Sequence, residues 1–279
     1  MLRLPRPAEP DDFATRVKAV RRKIANDIAA GKNPTIKRQL WGEFKPYFDR
    51  AQHGRCAYCE LPVTPGQDGD VEHYAPKNDL RAFNGTPGEE GRELPNSAKV
   101  KDRRPQLLSE LGYWWLAYEW RNYLLACRVC NSYWKGNLFP VRQPQDRTLP
   151  PTELAAGGEV PLLLNPFETR DPGRHLRFNA NGTVEPRNRS VFGRETIRTC
   201  GLHRMPLVDY RHIAARDAHA AVREAATARR EGAAPEDNQG LRDLHRMGKP
   251  DAYFRGVVRA IIFQELGINW QELDALFSP

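Results

Sequence analysis

The sequence predicts an α+β fold in which a small core of two strands and one helix is flanked by mainly helical regions. Three observations carry this. Four cysteines fall into two CxxC pairs, Cys56–Cys59 and Cys127–Cys130, and short runs suited to strands, Asp70-Val-Glu-His73 and Asn122-Tyr-Leu-Leu-Ala-Cys127, lie between the pairs. Apolar residues recur at three- and four-residue intervals towards both ends of the chain. The 279 residues, 40% of them hydrophobic, can bury a substantial core, as one large domain or as a small core with helical additions. The segments read as a helical region over 1–52, a core over 53–142 with an insertion at 84–106, and a mainly helical region with a short hairpin over 143–279.

Each element has its own warrant. Phe13, Val17, Val20, Ile24 and Ile28 line one face of a helix, with Asp11 or Asp12 as its cap and Gly31 at its end. A second helix begins near Pro34 and carries Ile36, Leu40, Phe44 and Phe48, kinked at Pro46 by the missing N–H. Residues 84–106 are rich in turn formers and charge, so they read as a mobile insertion whose basic end, Lys99 to Arg104, either tracks a phosphate backbone or is a solvated loop. The aromatic run Tyr113 to Trp120 reads as core packing ahead of a base-stacking platform. Cys130 to Gly136 suits a short helix closed by glycine. Val160 to Phe167 is apolar enough for a strand, and Leu176–Phe178 with Thr183–Val184 make a hairpin around Asn179-Ala-Asn-Gly182. Residues 194–230 are helical with one break near 201–206, residues 231–248 a loop with at most one short helix, and the last helix carries Phe254, Val257, Val258, Ile261 and Ile262.

Composition narrows the partners. With 43 Lys+Arg against 35 Asp+Glu, the formal net charge is +8, which favours polyanions such as nucleic acid without proving one. No stretch approaches the roughly 18–20 apolar residues that span a bilayer, and no apolar leader follows the first basic residues. The expectation is a soluble, cytoplasmic protein that touches no membrane. A reducing compartment keeps the paired cysteines as thiolates for metal rather than as disulfides. Cys200, the fifth cysteine, reads as a small buried hydrophobe.

Two CxxC pairs bring four thiolates to one tetrahedral zinc ion with no open position, so the metal is structural. A redox role would need only one reactive pair. Around this cage lie groups suited to phosphodiester hydrolysis, which needs a base, a cation and a path for the polyanion. His73 is the candidate base, with its tautomer set by a nearby acceptor. Glu72 and Asn131 offer hard oxygens to a magnesium-like ion, and Asp70 is an additional ligand or a support for one. Glu72 and His73 point to opposite sides of a strand and can share one phosphate only if the strand ends or bends there, a bend for which Pro76 is the candidate. Lys77 and Lys135 are either phosphate contacts or plain surface charges. Glu60 has no firm role.

These residues resemble the HNH endonuclease superfamily and its ββα-metal fold. The matching elements are Cys56-Ala-Tyr-Cys59-Glu60, Asp70-Val-Glu-His73-Tyr-Ala-Pro-Lys77 and Trp120-Arg-Asn122 through Cys130-Asn131 to Lys135-Gly136-Asn137. Within that superfamily the chain looks most like the PtuB-type nucleases of Septu and retron-associated phage-defence systems, over about 53–142. The resemblance implies that His73 is the general base, that Glu72 and Asn131 hold Mg2+ or Mn2+, and that Asn122 orients the loop or the histidine. Asn131 stands where many relatives have histidine, and the gap between the cysteine pairs is longer than in compact zinc ribbons. The implied activity is weakly sequence-specific DNA cleavage, with an ATPase as partner if the likeness to defence systems extends that far. The other readings are an RNA-directed nuclease, a zinc-stabilised nucleic-acid-binding module without turnover, and an interaction subunit of a larger assembly.

Overall fold

The computed structural model describes residues 1–36, 39–63, 69–83, 105–142 and 158–277. Its centre is an antiparallel pair, β1 (Gly69–His73) with β4 (Tyr123–Cys127), in unbroken register from Gly69 opposite Cys127 to His73 opposite Tyr123. Residues Tyr123 to Ala126 are all buried, which is why β4 reads as a continuous apolar run rather than an alternating one. A π-type helix, Val129–Lys135, follows directly. Its backbone bonding reaches five residues back, with the Gly136 N–H on the Asn131 carbonyl at 2.6 Å, and Gly136 turns the chain out at φ 48°. The expected order of strand, connection, strand and helix is therefore present in an α+β chain.

The connection between β1 and β4 contains a second hairpin, β2 (Leu80–Phe83) with β3 (Pro105–Ser109), where the sequence suggested only a loop. Most of the expected insertion, including the basic run Lys99 to Arg104, lies outside the described residues, as does most of the connector after Pro140.

Upstream, α1 (Phe13–Ala29) buries Phe13, Val17 and Ile24 as its spacing requires, although the Asp12 side chain makes no capping bond. The single kinked helix expected next is instead two, α2 (Gln39–Gly42) and α3 (Lys45–Ala51). Pro46 lies in the first turn of α3, where its missing N–H has no partner to lose, so it starts a helix rather than bending one. The Gln52 amide then pairs with both backbone groups of Leu125, at 2.8 Å each, and fixes α3 against β4.

Downstream, β5 (Val141–Arg142) pairs with β6 (Val160–Pro161). The strand expected to run to Phe167 stops at Pro161: the Leu164 N–H goes to the Thr196 hydroxyl at 2.8 Å instead of to a neighbouring strand, and Pro166 has no N–H to give; Leu163 and Leu164 are buried without a ladder. β7 (Leu176–Phe178) and β8 (Val184–Pro186) form the expected hairpin, with Gly182 at φ 80°. The helical stretch is α4 (Val191–Cys200) and α5 (Met205–Arg230), broken at Gly201 in the left-handed region. Asn238 caps a ten-residue α6 (Gln239–Gly248), longer than foreseen. α7 (Arg255–Leu266) carries the expected apolar face, and α8 (Trp270–Phe277) was not anticipated.

One apolar core runs through all three sequence segments and includes Phe13, Trp120, Leu202 and Ile262. Trp114, Tyr118 and Trp120 are buried in it, in line with packing rather than base stacking, and Phe48 lies 4.7 Å from the Trp120 ring.

Candidate functional site

The Sγ atoms of Cys56, Cys59, Cys127 and Cys130 all lie within 4.8 Å of one another, the one such cluster of potential metal-binding groups among the described residues. Zinc–sulfur bonds of about 2.3 Å give a tetrahedron with edges of about 3.8 Å. The Cys59–Cys127 separation is 3.8 Å. Number, element and spacing of the donors all fit a closed zinc site.

The first pair turns on Glu60 at φ 66°, with its N–H on the Cys56 carbonyl; in the second, the Cys130 N–H points at the Cys127 sulfur at 3.4 Å. Arg204 faces the cluster. Burial opposes its charge, but the negative field of Cys130, Cys59, Cys127 and Cys56 outweighs burial and raises its pKa. Its Nη1 donates to the Cys200 and Gly201 carbonyls inside the α4–α5 turn, and the Cys130 sulfur, 3.7 Å from the Cys200 carbonyl, joins that turn to the cage. Cys200 is fully buried, as expected.

Glu60 proves to be a tether between distant parts of the chain. Burial alone would raise its pKa, but the Met1 ammonium at 2.6 Å, the Gly256 N–H at 2.9 Å and Arg255 outweigh it and bring it down. The first cysteine pair is thereby fastened to α7.

His73 ends β1 with its ring 4.8 Å from Trp41 of α2 and 5.2 Å from Tyr123, edge to face in both cases. Nε2 lies 2.8 Å from the Ala117 carbonyl. A carbonyl only accepts, so Nε2 carries the proton and Nδ1 of the neutral ring has the free lone pair. Burial, then the charges of Lys77 and Lys135, lower its pKa well below the ordinary histidine value, partly offset by the Ala117 bond.

Asn122 accepts the Ala75 N–H at 2.7 Å and donates to the Ala75 and Leu116 carbonyls at 3.0 Å. It clamps the segment that presents the Ala117 carbonyl to His73, and the Tyr123 hydroxyl donates to the same carbonyl at 2.9 Å. Lys77 holds its ammonium 4.8 Å over the Trp41 ring.

Glu72 lies on the other face of the hairpin. Its Oε1 is 2.6 Å from the Lys135 ammonium, which also donates to the His73 carbonyl at 3.0 Å. Burial raises the Glu72 pKa despite the opposing pull of Lys135 and Lys77. Lys135 is therefore neither an exposed phosphate contact nor a plain surface charge, its two expected roles: it is 1% exposed and serves as the counter-ion of Glu72. Asp70 lies on the same face of β1 as Glu72, partly buried.

Asn131 lies four residues before Lys135 on the π-type helix, half-buried. Among the described residues, no side-chain hydrogen bond joins it to Glu72 or His73. β1 ends at His73 and the chain bends at Tyr74 and Ala75, just before Pro76, although the Tyr74 N–H still reaches the Asn122 carbonyl at 2.9 Å. The structure thus gathers Glu72 with Lys135 on one face and His73 with Trp41 on the other. Trp41, the Ala117 carbonyl and Arg204 were not anticipated. A backbone carbonyl has no signature in a sequence, and no motif marked the arginine.

No family model matches the chain. Over 199 residues it is 32% identical to Septu protein PtuB of Bacillus mycoides (strain KBAB4), a match covering 68% of the chain. This chain is similar to a Septu PtuB. The match covers 60% of the length of that PtuB, so the chain spans less than two thirds of its relative. Among the described residues, no helix is long and apolar enough to cross a membrane.

Proposed function

We propose that the chain is an HNH-type, divalent-metal-dependent endonuclease that cuts DNA with weak sequence preference in anti-phage defence. The observation that carries this reading is the Nε2–H bond from His73 to the Ala117 carbonyl, at the end of a hairpin clamped by four thiols. That bond holds a buried, neutral imidazole in one tautomer, with Nδ1 available to take a proton from water. Burial, with Lys77 and Lys135 behind it, keeps the imidazole neutral. Asn122 acts as a positioning residue, because it fixes the segment that carries the acceptor.

The donor types also suit a hard cation. Glu72 and Asn131 offer oxygens, and a cation at Glu72 would displace the Lys135 ammonium or share the carboxylate with it. These two residues, with Asp70 in support, would hold Mg2+ or Mn2+; the bound ion supplies charge neutralisation at the phosphate and the departing oxygen. His73 is 4% exposed beneath Trp41, so a phosphodiester reaches Nδ1 only when Trp41 and α2 give way. An ATPase partner, of the kind the resemblance to defence systems implies, is a candidate for driving that opening. The same burial favours the second reading, a zinc-stabilised binding subunit without turnover.

The test is digestion of supercoiled plasmid and of RNA with Mg2+, Mn2+ or Zn2+, comparing the unaltered chain with His73→Ala. Cleavage by the former, with a loss of about 10²–10⁴-fold in the variant at unchanged zinc content, is expected. Equal cleavage by both proteins removes the assignment of the base. No cleavage under any condition, with or without an ATPase partner, leaves the binding subunit.

A further inference from the structure

Away from the hairpin, where the first residues of the chain meet β7, α7 and α8, lies a cleft lined by arginines. Its central part, about 450 Å³, is bordered by Arg3, Arg170, Arg187 and Arg259. An adjoining opening of about 670 Å³ shares Arg3 and Gln271 with it and adds Arg6 and Arg121. A third, about 420 Å³, shares Arg170 and Asp171 and adds Arg174.

The acidic groups in this lining are already engaged. Asp171 accepts the Gly173 N–H at 2.9 Å, and Glu168 pairs with Arg6 at 2.8 Å. Among the described residues, Arg3, Arg121, Arg170 and Arg174 form no salt bridge, although the Arg121 charge is felt at Glu119. Among the described residues, Arg187 and Arg259 donate only to backbone carbonyls, those of Gly173 and Gly248. Burial, and after it the charge of Arg255, pulls Arg259 down to about 10, and burial also lowers Arg6. Like charges gathered in one cleft, most of them without a salt-bridge partner and Arg259 partly desolvated, cost free energy that a polyanion would recover.

We propose that this cleft binds the sugar-phosphate backbone of a nucleic acid and leads it to the hairpin. Guanidinium forks match phosphate oxygens two at a time, and three openings in series exceed what one phosphate or one nucleotide fills. Continuity decides between nucleic acid and an acidic peptide. At one end Arg6 also donates to the Trp120 and Tyr123 carbonyls, at 3.3 and 3.4 Å, and Tyr123 is the residue paired with His73. A strand in the cleft therefore runs towards the proposed base. The assignment takes its choice of polyanion from the nuclease reading, but its test needs no cleavage.

The experiment measures binding of a fluorescein-labelled DNA duplex by anisotropy against salt, using the full chain with His73→Ala so that the DNA persists. Arg3→Glu/Arg170→Glu/Arg187→Glu should weaken binding about tenfold or more and lower the slope of log K against log salt by about 0.9 for each phosphate no longer neutralised. Arg216→Glu/Arg223→Glu/Arg229→Glu, the same charge change on the exposed face of α5, should leave both nearly unchanged. Equal weakening in the two triple variants, or none in the first, overturns the proposal. So does poly-glutamate that binds more tightly than the duplex and is released in the cleft variant, since that makes the cleft a site for acidic protein. Glutamine replacements and thermal melts separate impaired binding from impaired folding. With His73 intact, the cleft variant should raise KM at unchanged kcat. A chain that binds duplex through the cleft yet never cuts sinks the nuclease reading and leaves the cleft standing.

Discussion

At the scale of single residues, the buried pair Glu72–Lys135 makes the sharpest demand on the fold. Both side chains are almost fully enclosed, so removing one leaves an uncompensated charge inside the protein. Glu72→Gln should cost about 3–5 kcal/mol, read as a lower midpoint in urea. The double variant Glu72→Leu/Lys135→Met should recover most of that loss, because two apolar groups leave no charge behind. A double variant no more stable than the single one would mean that the pair does more than compensate itself. His203 adds a pH dependence. Burial and then Arg211 hold its pKa below 6.5, with Glu185 pulling weakly the other way. Below pH 6.5 the unfolded chain takes up a proton that the folded chain refuses, so stability present above that pH falls as the pH drops towards the folded value. His203→Gln should flatten that part of a stability–pH curve.

At the scale of elements, the thiol cage and the α4–α5 turn carry the hairpin. Thiolate–zinc bonds couple to folding by about 10–16 kcal/mol in small zinc domains, as much as a whole domain's net stability of about 5–15 kcal/mol. Cys127→Ser should therefore lower soluble yield and zinc content together, and titrating the thiols with a mercurial should release one zinc per chain as near-ultraviolet dichroism collapses. A folded variant without zinc would show that the cage is dispensable. Gly201 is the second element-scale constraint. It turns at φ 58°, and a Cβ there would lie 1.9 Å from the Trp134 ring of the π-type helix. Gly201→Ala combines left-handed strain with overpacking and should cost on the order of 2–5 kcal/mol in chemical denaturation.

At the scale of the whole molecule, the three segments of the sequence do not behave as separate bodies in their contacts. Glu60 bonds Gly256, the Cys130 sulfur approaches the Cys200 carbonyl at 3.7 Å, and Arg6 reaches Trp120 and Tyr123. A fragment covering residues 53–142 should therefore remain unfolded even with zinc, while the full chain melts in one cooperative transition. A cooperative melt from the fragment would show that the core stands alone.

The sequence by itself determined the parts whose signals are local. CxxC spacing announced the thiol cage, apolar spacing announced α1 and α7, the Asn-Gly turn announced the β7–β8 hairpin, and the strand–strand–helix order followed from short runs between the cysteine pairs. It could not reveal that Pro46 opens a helix, because proline at a first turn and proline at a kink look alike until the preceding backbone is known. Nor could it show that His73 leans on the Ala117 carbonyl beneath Trp41, that Lys135 turns inward to Glu72, or that arginines separated by more than 250 positions border one cleft. Those facts depend on which surfaces meet, and burial and charge compensation are properties of the folded neighbourhood rather than of any run of residues.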